Sequence, residues 1–280
     1  MKYKIKMIGM DLDGTLLKDD KTFTTYTKEV LSRAIEQGVV VLVATGRPLS
    51  AISEEIIHFP GMRYIVTTNG ARVLDLKENK VLQESSISID VAEKVIDILK
   101  DYDAIREVFV DGIGYGAKEK MDRVEEFFPD RHSQEYILNT RIPVDSLTEQ
   151  LRKLQASADK VHGIFKDLDE RKEALERINE IPGLIVTAAY GNSLEINKEG
   201  TSKADSLIRL GEMLGIKREE IMACGDGMND YEMIQAVGFG VAMENGHPEV
   251  KKIADYVTCS NEENGVAKAM EKFVLDEGGV

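Results

Sequence analysis

The sequence predicts an α/β fold in which a doubly wound parallel sheet is interrupted by an α+β insertion. Near both ends of the chain, short apolar runs typical of buried strands alternate with segments of helical spacing. The stretch between these regions is richer in charge and has few dense apolar runs. Strands that alternate with helices form right-handed βαβ units and a parallel sheet. One discontinuous domain interrupted by a second therefore explains the pattern better than two domains in series.

The core is predicted to be Rossmann-like and to comprise residues 1–84 and 190–280. Threonine caps and a glycine stop predict a helix within 24–38, and a further helix is predicted over 48–58. The remaining predicted helices are 201–214, 230–237 and one that closes the chain. The predicted core strands are 4–10, 39–44, 64–68, 220–224, 239–242 and 255–258.

The insertion, residues 85–189, is predicted to form its own small α+β core. Its predicted helices are 91–100, 145–158 and 168–181, and its predicted strands are 106–110, 160–166 and 184–189. The glycine-rich segment around Tyr115 is predicted to be a loop, from which this tyrosine could reach a substrate.

Composition limits the possible partners. The net charge is −14 and the pI is near 4.9, which argues against nucleic acid but leaves room for a small phosphorylated metabolite. The sequence has no run of roughly 18 apolar residues, so no membrane span is predicted. The two cysteines lack metal-ligand spacing and are predicted to be reduced thiols of a cytoplasmic protein. The oligomeric state is not encoded in any pattern, and a monomer is compatible with the sequence.

Polar residues follow the predicted core strands where each strand ends. Asp11 and Asp13 follow the first strand, Thr45 and Gly46 follow the second, and a later strand leads into 225–230, reading GDGMND. In an open parallel sheet, ligands bind beyond the carboxyl ends of the strands. We therefore expect these side chains to meet at one edge, together with Lys203 at the start of a helix.

The gathered residue types suit phosphoryl transfer. Four carboxylates, those of Asp11, Asp13, Asp226 and Asp230, would repel one another without a cation, and hard oxygen ligands at a small site favour Mg²⁺. A lysine, a hydroxyl and backbone N–H groups can hold phosphate oxygens. A carboxylate can act as the nucleophile and form an acyl phosphate that water hydrolyses.

These motifs together resemble the haloacid dehalogenase-like superfamily of phosphatases. The resemblance rests on DLDGT at 11–15, TGR at 45–47, Lys203 and GDGMND at 225–230, in the order in which that superfamily carries them. TTNGA at 67–71, SLEI at 193–196 and the large insertion are similar to the Cof-type subgroup with its C2-type cap. One departure is Ala204, where the subgroup often has glycine, and it weakens any expectation about backbone contacts there.

The resemblance implies a role for each matching residue. Asp11 would be the phosphorylated nucleophile, and Asp13 the general acid and then the general base. Asp11, the backbone carbonyl of Asp13 and Asp226 would hold Mg²⁺, supported by Asp230. The residues implied to bind phosphate or substrate are Thr45, Gly46, Lys203 and Asn229, with two further candidates in Arg47, which could instead form a structural ion pair, and Asn69, which could be only a turn residue.

The expected function is a Mg²⁺-dependent phosphatase for small phosphate monoesters, such as sugar phosphates or phosphorylated cofactors, acting through an aspartyl-phosphate. A phosphomutase on the same scaffold is an alternative, and product analysis separates the two. A receiver-like phospho-aspartate signalling module is another alternative. Such a module lacks a general acid at the second aspartate position and a hundred-residue insertion. Specificity is expected to come from the cap, since phosphate contacts are common to all substrates.

Overall fold

The computed structural model describes residues 4–187 and 191–275. The described chain forms two compact units. The first lies within Met1–Gly46, Ser53–Gln83 and Ser202–Val280, and the second comprises Arg47–Ile52 and the described part of Glu84–Thr201. The predicted insertion, 85–189, is thus shorter than the second unit. Residues 188–190, where the predicted boundary and the end of one predicted strand fall, lie outside the described residues.

Strands and helices alternate along most of the described chain. The strands are β1 (Met7–Met10), β2 (Val40–Ala44), β3 (Tyr64–Thr67), β4 (Arg72–Asp75), β5 (Lys80–Glu84), β6 (Ala104–Val110), β7 (Ile113–Ala117), β8 (Arg141–Val144), β9 (Lys160–Phe165), β10 (Leu184–Thr187), β11 (Ser193–Lys198), β12 (Ile221–Gly225), β13 (Phe239–Ala242) and β14 (Tyr256–Val257). The α-helices are α1 (Thr25–Glu36), α2 (Glu54–Ile57), α3 (Ile89–Lys100), α4 (Lys118–Met121), α5 (Arg131–Thr140), α6 (Leu147–Leu154), α7 (Leu168–Asn179), α8 (Lys203–Met213), α9 (Tyr231–Ala236), α10 (Pro248–Ile253) and α11 (Gly265–Phe273). None of the described helices is long and apolar enough to cross a membrane.

The first unit is built on a sheet with the order β14-β13-β12-β1-β2-β3-β4-β5. The strands from β14 to β3 pair in parallel, whereas β4 runs antiparallel to β3. The order runs one way from β1 to β3 and the other way from β12 to β14, so the direction of winding reverses beside β1. Ligands of open α/β sheets bind at such a switch point, outside the carboxyl ends of the strands. The predicted doubly wound α/β class is confirmed.

The predicted helix over 48–58 is wrong. The structure has a single 3₁₀ turn at Leu49–Ala51, an extended residue at Ile52, and the four-residue α2. The N–H of Ser50 donates to the carbonyl of Gly112, so this segment satisfies its backbone through a distant part of the second unit. Long-range pairing of this kind overrides local helical spacing.

The second unit is built on a sheet with the order β10-β11-β9-β6-β7-β8. Apolar residues on one face of this sheet pack against α3, α6 and α7. The unit extends to Thr201 because β11 pairs with both β9 and β10.

The segment around Tyr115 is strand β7 rather than the predicted loop. Its tyrosine is buried in the apolar core between sheet and helices. Gly114 is required within the strand because a Cβ there would lie 2.6 Å from Cδ of Arg141. The glycines that suggested a loop therefore serve close packing.

Candidate active site

Asp11 lies at the carboxyl end of β1, at the switch point of the first unit. Its N–H donates to the carbonyl of Cys224 on β12 over 3.0 Å, which continues the strand pairing by one residue. The side chain is largely buried. The strand therefore fixes this carboxylate at the edge where a parallel sheet binds ligands.

Lys203 joins two of the buried carboxylates. It is the first residue of α8, whose N-cap Ser202 accepts a hydrogen bond from the N–H of Asp205. Its Nζ donates to Oδ1 of Asp11 over 2.6 Å and to Oδ1 of Asp230 over 2.7 Å, and only 1% of its side chain is exposed. The two carboxylates raise the pKa of Lys203 although burial opposes this. The lysine is therefore a fixed cation between the two acids.

Asp226 and Asp230 come from the loop that follows β12. Oδ2 of Asp230 accepts the N–H groups of Asp226 and Gly227 over 3.1 and 3.0 Å. Oδ1 of Asp226 accepts the hydroxyl of Thr15 over 2.8 Å. Both oxygens of Asp230 therefore have donors. This suits a supporting role for Asp230, while Asp226 keeps one oxygen to offer a ligand.

Gly14 makes room for the Asp226 carboxylate. Its φ is +74°, a conformation that side chains disfavour, and a Cβ at this position would lie 2.5 Å from Oδ2 of Asp226. The glycine of DLDGT therefore serves both a turn and a close approach between two loops of the site.

The site has more buried negative charge than its lysine can balance. Asp11, Asp226 and Asp230 each bring a carboxylate oxygen within 4.8 Å of the other two, against the single ammonium of Lys203. Burial and the neighbouring carboxylates raise the pKa of Asp11, which Lys203 opposes, and burial with Asp230 raises the pKa of Asp226 to about 6. Surplus carboxylates with hard oxygen donors fit a divalent cation such as Mg²⁺.

Asp13 is not one of the three clustered acids, but its charge is close enough to raise the pKa of Asp226. Its carboxylate is partly exposed and pairs with Nζ of Lys21 over 2.8 Å. A bridge between Asp13 and Leu17 holds the loop that follows β1. The side chain is therefore partly accessible to solvent, with which it can exchange protons.

Thr45 and Asn69 lie at the ends of β2 and β3. The N–H of Thr45 donates to Val66 over 2.9 Å, and its carbonyl accepts the N–H of Asn69 over 3.0 Å. Both residues are buried, and Asn69 has a left-handed backbone with φ of 60°. Gly46 follows Thr45 and is the last residue of this segment of the first unit. The two strand ends are therefore tied into one substructure.

Asn229 and Arg47 differ in their surroundings. Asn229 lies in the 3₁₀ turn Met228–Asp230, directly before Asp230. Arg47 belongs to the second unit, where its Nη1 donates to the carbonyl of Ala51 and its guanidinium lies 4.8 Å from the ring centre of Tyr136. Arg47 therefore has an aromatic partner within the second unit, which sequence reasoning did not expect.

A model of the haloacid dehalogenase-like hydrolase family matches residues 8–270. The chain belongs to this family. The predicted superfamily and the predicted class of enzyme, a phosphoric monoester hydrolase, are thus confirmed.

The curated relatives of this haloacid dehalogenase-like hydrolase include the following two phosphatases. The 5-amino-6-(5-phospho-D-ribitylamino)uracil phosphatase YitU of Bacillus subtilis (strain 168) is 32% identical over 277 residues, covering 98% of this chain and 99% of that protein. The HMP-PP phosphatase of Serratia proteamaculans (strain 568) is 32% identical over 251 residues, covering 89% and 87%. A solved haloacid dehalogenase-like hydrolase from B. subtilis has a TM-score of 0.85 at 28% identity, covering 97% of this chain and 100% of that one.

Sequence reasoning missed a residue that holds the loop after β1 of this hydrolase. Nδ2 of Asn245 donates to the carbonyl of Gly14 over 2.8 Å, and its Oδ1 accepts the N–H of Asn261 over 3.0 Å. Asn245 closely follows β13, so the rule that strand ends meet at one edge could have found it. Lys21, the partner of Asp13, had no comparable signal.

Proposed function

We propose that this protein is a Mg²⁺-dependent phosphatase that hydrolyses small phosphate monoesters through an aspartyl-phosphate on Asp11. The observation that carries the proposal is the buried Asp11 carboxylate at the switch point, 2.6 Å from Lys203 and grouped with Asp226 and Asp230. The substrate class is sugar phosphates or phosphorylated cofactors. The name of the relative YitU, whose substrate carries a phosphorylated ribityl chain, supports this class.

The proposed reaction has two steps that share the same acid. In the first, a carboxylate oxygen of Asp11 attacks phosphorus, the bond from phosphorus to the alcohol oxygen breaks, and Asp13 donates a proton to the leaving oxygen. In the second, Asp13 removes a proton from water, which attacks the same phosphorus, releases phosphate and regenerates Asp11. The partly exposed position of Asp13 supports this exchange of protons with solvent.

Asp11, the backbone carbonyl of Asp13 and Asp226 would hold Mg²⁺, with Asp230 supporting them. When bound, the metal would offset the negative charge of the carboxylates and of the phosphoryl oxygens. The buried surplus of carboxylates and the close approach that Gly14 permits support this assignment.

Phosphate binding is assigned to Lys203, Thr45, Gly46 and Asn229. Lys203 supplies a fixed positive charge beside the nucleophile, and the hydroxyl of Thr45 lies on the neighbouring strand end. Positioning and charge stabilisation of this kind provide most of the catalysis in phosphoryl transfer. Asn69 and Arg47 remain candidates for substrate contact.

The test is phosphate release from a panel of phosphate monoesters, with and without Mg²⁺, for wild type and Asp11→Asn. Asp97→Asn is the matched control, because Asp97 lies on α3 with its side chain 65% exposed. We expect metal-dependent release by wild type and control and none by Asp11→Asn. With an activated aryl phosphate, whose leaving group needs no proton from Asp13, acid-quenched Asp13→Asn should retain phosphate covalently, because its second step lacks a base.

Two outcomes would contradict the proposal. Release by Asp11→Asn at the wild-type rate would remove Asp11 as the nucleophile. Transfer of the phosphoryl group back to the sugar, without free phosphate, would instead identify a phosphomutase, which product analysis detects directly.

A further inference from the structure

The loop that follows β1 ends in a tight turn that carries Lys21. The N–H of Lys21 donates to the carbonyl of Lys18 over 2.9 Å, and the N–H of Lys18 donates to the carbonyl of Thr22 over 2.8 Å. We call residues 18–22 the Lys21 turn. It lies entirely within the first unit, as do Asp13 and the cluster of three buried acids.

The backbone of Lys21 has a conformation that lysine disfavours. Its φ is 66°, in the left-handed region, where a Cβ crowds the following carbonyl oxygen. Hairpin turns with one left-handed residue usually carry glycine there, because glycine has no Cβ. Backbone strain of this kind is typical of functional sites. The lysine side chain is therefore expected to supply something that glycine lacks.

The ammonium of Lys21 supplies a charged contact to Asp13. Its Nζ donates to Oδ1 of Asp13 over 2.8 Å. The two side chains are 44% and 31% exposed, and ion pairs that water reaches add little to stability. The pair nevertheless restricts the direction of the carboxylate, because Oδ1 must stay within reach of the ammonium. The contact therefore serves orientation more than stability.

The Lys21 turn is anchored to a distant segment of the first unit. Nδ2 of Asn261 donates to the carbonyl of Leu17 and to Oδ1 of Asp19, both over 3.0 Å. The N–H of Asp19 donates to Oε1 of Glu262 over 2.8 Å. Asn261 is 4% exposed, so its two bonds are largely shielded from water. The turn is therefore a fixed support for the lysine.

We propose that Lys21 is a positioning residue that holds the Asp13 carboxylate for proton transfer in both steps of the reaction. This rests on the proposed phosphatase function. The ammonium binds Oδ1, and the other oxygen, Oδ2, exchanges the proton. In the first step the proton leaves Oδ2 for the oxygen of the departing alcohol, and in the second Oδ2 takes a proton from water. A misplacement of about 1 Å is enough to slow such a transfer strongly.

Three substitutions of Lys21 separate its charge from its backbone. Lys21→Met removes the ammonium and keeps the left-handed strain, Lys21→Gly removes both, and Lys21→Arg keeps a cation. In urea, Lys21→Gly should be more stable than Lys21→Met, since glycine accepts the positive φ. Both should nevertheless be equally slow. Lys18→Met is the matched control, because Lys18 belongs to the same turn but pairs with Glu262 over 3.0 Å.

The leaving group of the ester distinguishes the two proton transfers. For ribitol 5-phosphate, an alkyl ester, Lys21→Met and Lys21→Gly should lower kcat and kcat/KM about tenfold and leave KM within about twofold. For 4-nitrophenyl phosphate, whose leaving group needs no proton, kcat/KM should stay within about twofold of wild type. Its kcat should fall, and the burst of nitrophenolate should exceed that of wild type, because aspartyl-phosphate accumulates. Lys21→Arg should recover most of the rate, and Lys18→Met should stay within about twofold of wild type on both esters.

A measurement without substrate separates this proposal from the phosphatase proposal. Three-bond couplings from the backbone ¹⁵N and carbonyl ¹³C to Cγ of Asp13 report its χ1 rotamer in the full-length protein. Wild type and Lys18→Met should show a single staggered rotamer. Lys21→Met and Lys21→Gly should show averaged couplings. This measurement does not depend on turnover.

Several results would overturn the proposal. A wild-type rate for Lys21→Gly would mean that the ammonium is not needed. Equal losses of kcat/KM on the two esters would make Lys21 a structural residue, and an unchanged rotamer of Asp13 in Lys21→Met would remove the lysine as its support. If wild type released phosphate from no ester, the phosphatase proposal would fail, while the couplings would still decide whether Lys21 orients Asp13.

Discussion

Replacing Lys203 with methionine tests whether one buried cation holds the acidic site together. The ammonium of Lys203 lies 2.6 Å from Asp11 and 2.7 Å from Asp230. At an effective dielectric constant of about 20, each of these contacts is worth about 6 kcal/mol in Coulomb energy before desolvation is subtracted. Removing one partner of a buried ion pair costs about 3–5 kcal/mol, because the remaining charge stays buried without compensation. We expect Lys203→Met to lose about this much stability near neutral pH.

The loss should depend on pH in a defined direction. Without Lys203, the pKa of Asp11 rises further above its value in the unfolded chain, so the folded protein holds a proton that the unfolded protein releases. Stability then falls as pH rises, by up to about 1.4 kcal/mol per pH unit for each such proton. The penalty of Lys203→Met should therefore be small near pH 4 and largest near pH 8.

Urea unfolding between about pH 4 and pH 8, followed by circular dichroism, measures both the loss of stability and its dependence on pH. Mg²⁺ should stabilise Lys203→Met more than wild type, since a bound cation supplies the missing positive charge. Catalysis should fall at least about a hundredfold in the variant, even with Mg²⁺, because the phosphoryl group loses a fixed donor. A loss below about 1 kcal/mol that is the same at every pH would refute the electrostatic reasoning.

Three further predictions concern single residues. Because burial raises the pKa of Asp226 to about 6, protons should compete with Mg²⁺, and the half-saturating Mg²⁺ concentration should rise about tenfold per pH unit below that value. Initial rates against Mg²⁺ at several pH values measure this, and a constant half-saturation would contradict it. Gly14→Ala should abolish Mg²⁺-dependent activity, because its Cβ would lie 2.5 Å from the Asp226 carboxylate. The control Gly38→Ala also has a positive φ, +83°, but nothing lies within 4 Å of its Cβ. It should lose only about 1 kcal/mol of stability and keep the wild-type rate. Equal rates in the two alanine variants would show that contact between this Cβ and Asp226 does not impair activity. Glu107→Gln leaves the buried Arg141 without its counter-ion and should lose about 3–5 kcal/mol in urea unfolding at neutral pH. Because the folded pKa of Glu107 is about 2 against 4.5 unfolded, the difference from wild type should shrink as pH falls through this window, and a difference that stays constant would count against the ion pair.

Local patterns predicted much of the first unit. Its buried parallel strands are dense β-branched or apolar runs, so β1, β2 and β3 fall within the predicted ranges. Since parallel strands end at one edge, the positions of Asp11, Thr45 and the loop after β12 followed from the strands alone.

The second unit was harder to predict because its sheet depends on distant pairings. Strand β7 is glycine-rich, and only its neighbours Arg141 and Met121 explain why glycine is needed there. The segment after β2 forms no long helix because Ser50 is bonded to Gly112. Arg141 and Gly112 are far in sequence from the residues they contact, so no local periodicity carries this information.

The sequence by itself determined the class of the sheet, the family and the identity of the acidic residues, because strand periodicity and strand-end chemistry are local properties. Only the tertiary structure decided which acids share Lys203, that Asp13 pairs with Lys21, and that buried Nε2 of His162 and Oγ1 of Thr187 have no hydrogen-bond partner among the described residues. These features depend on register between strands and on contacts across long stretches of chain, and a change of one residue in register would turn each side chain to the other face of its sheet.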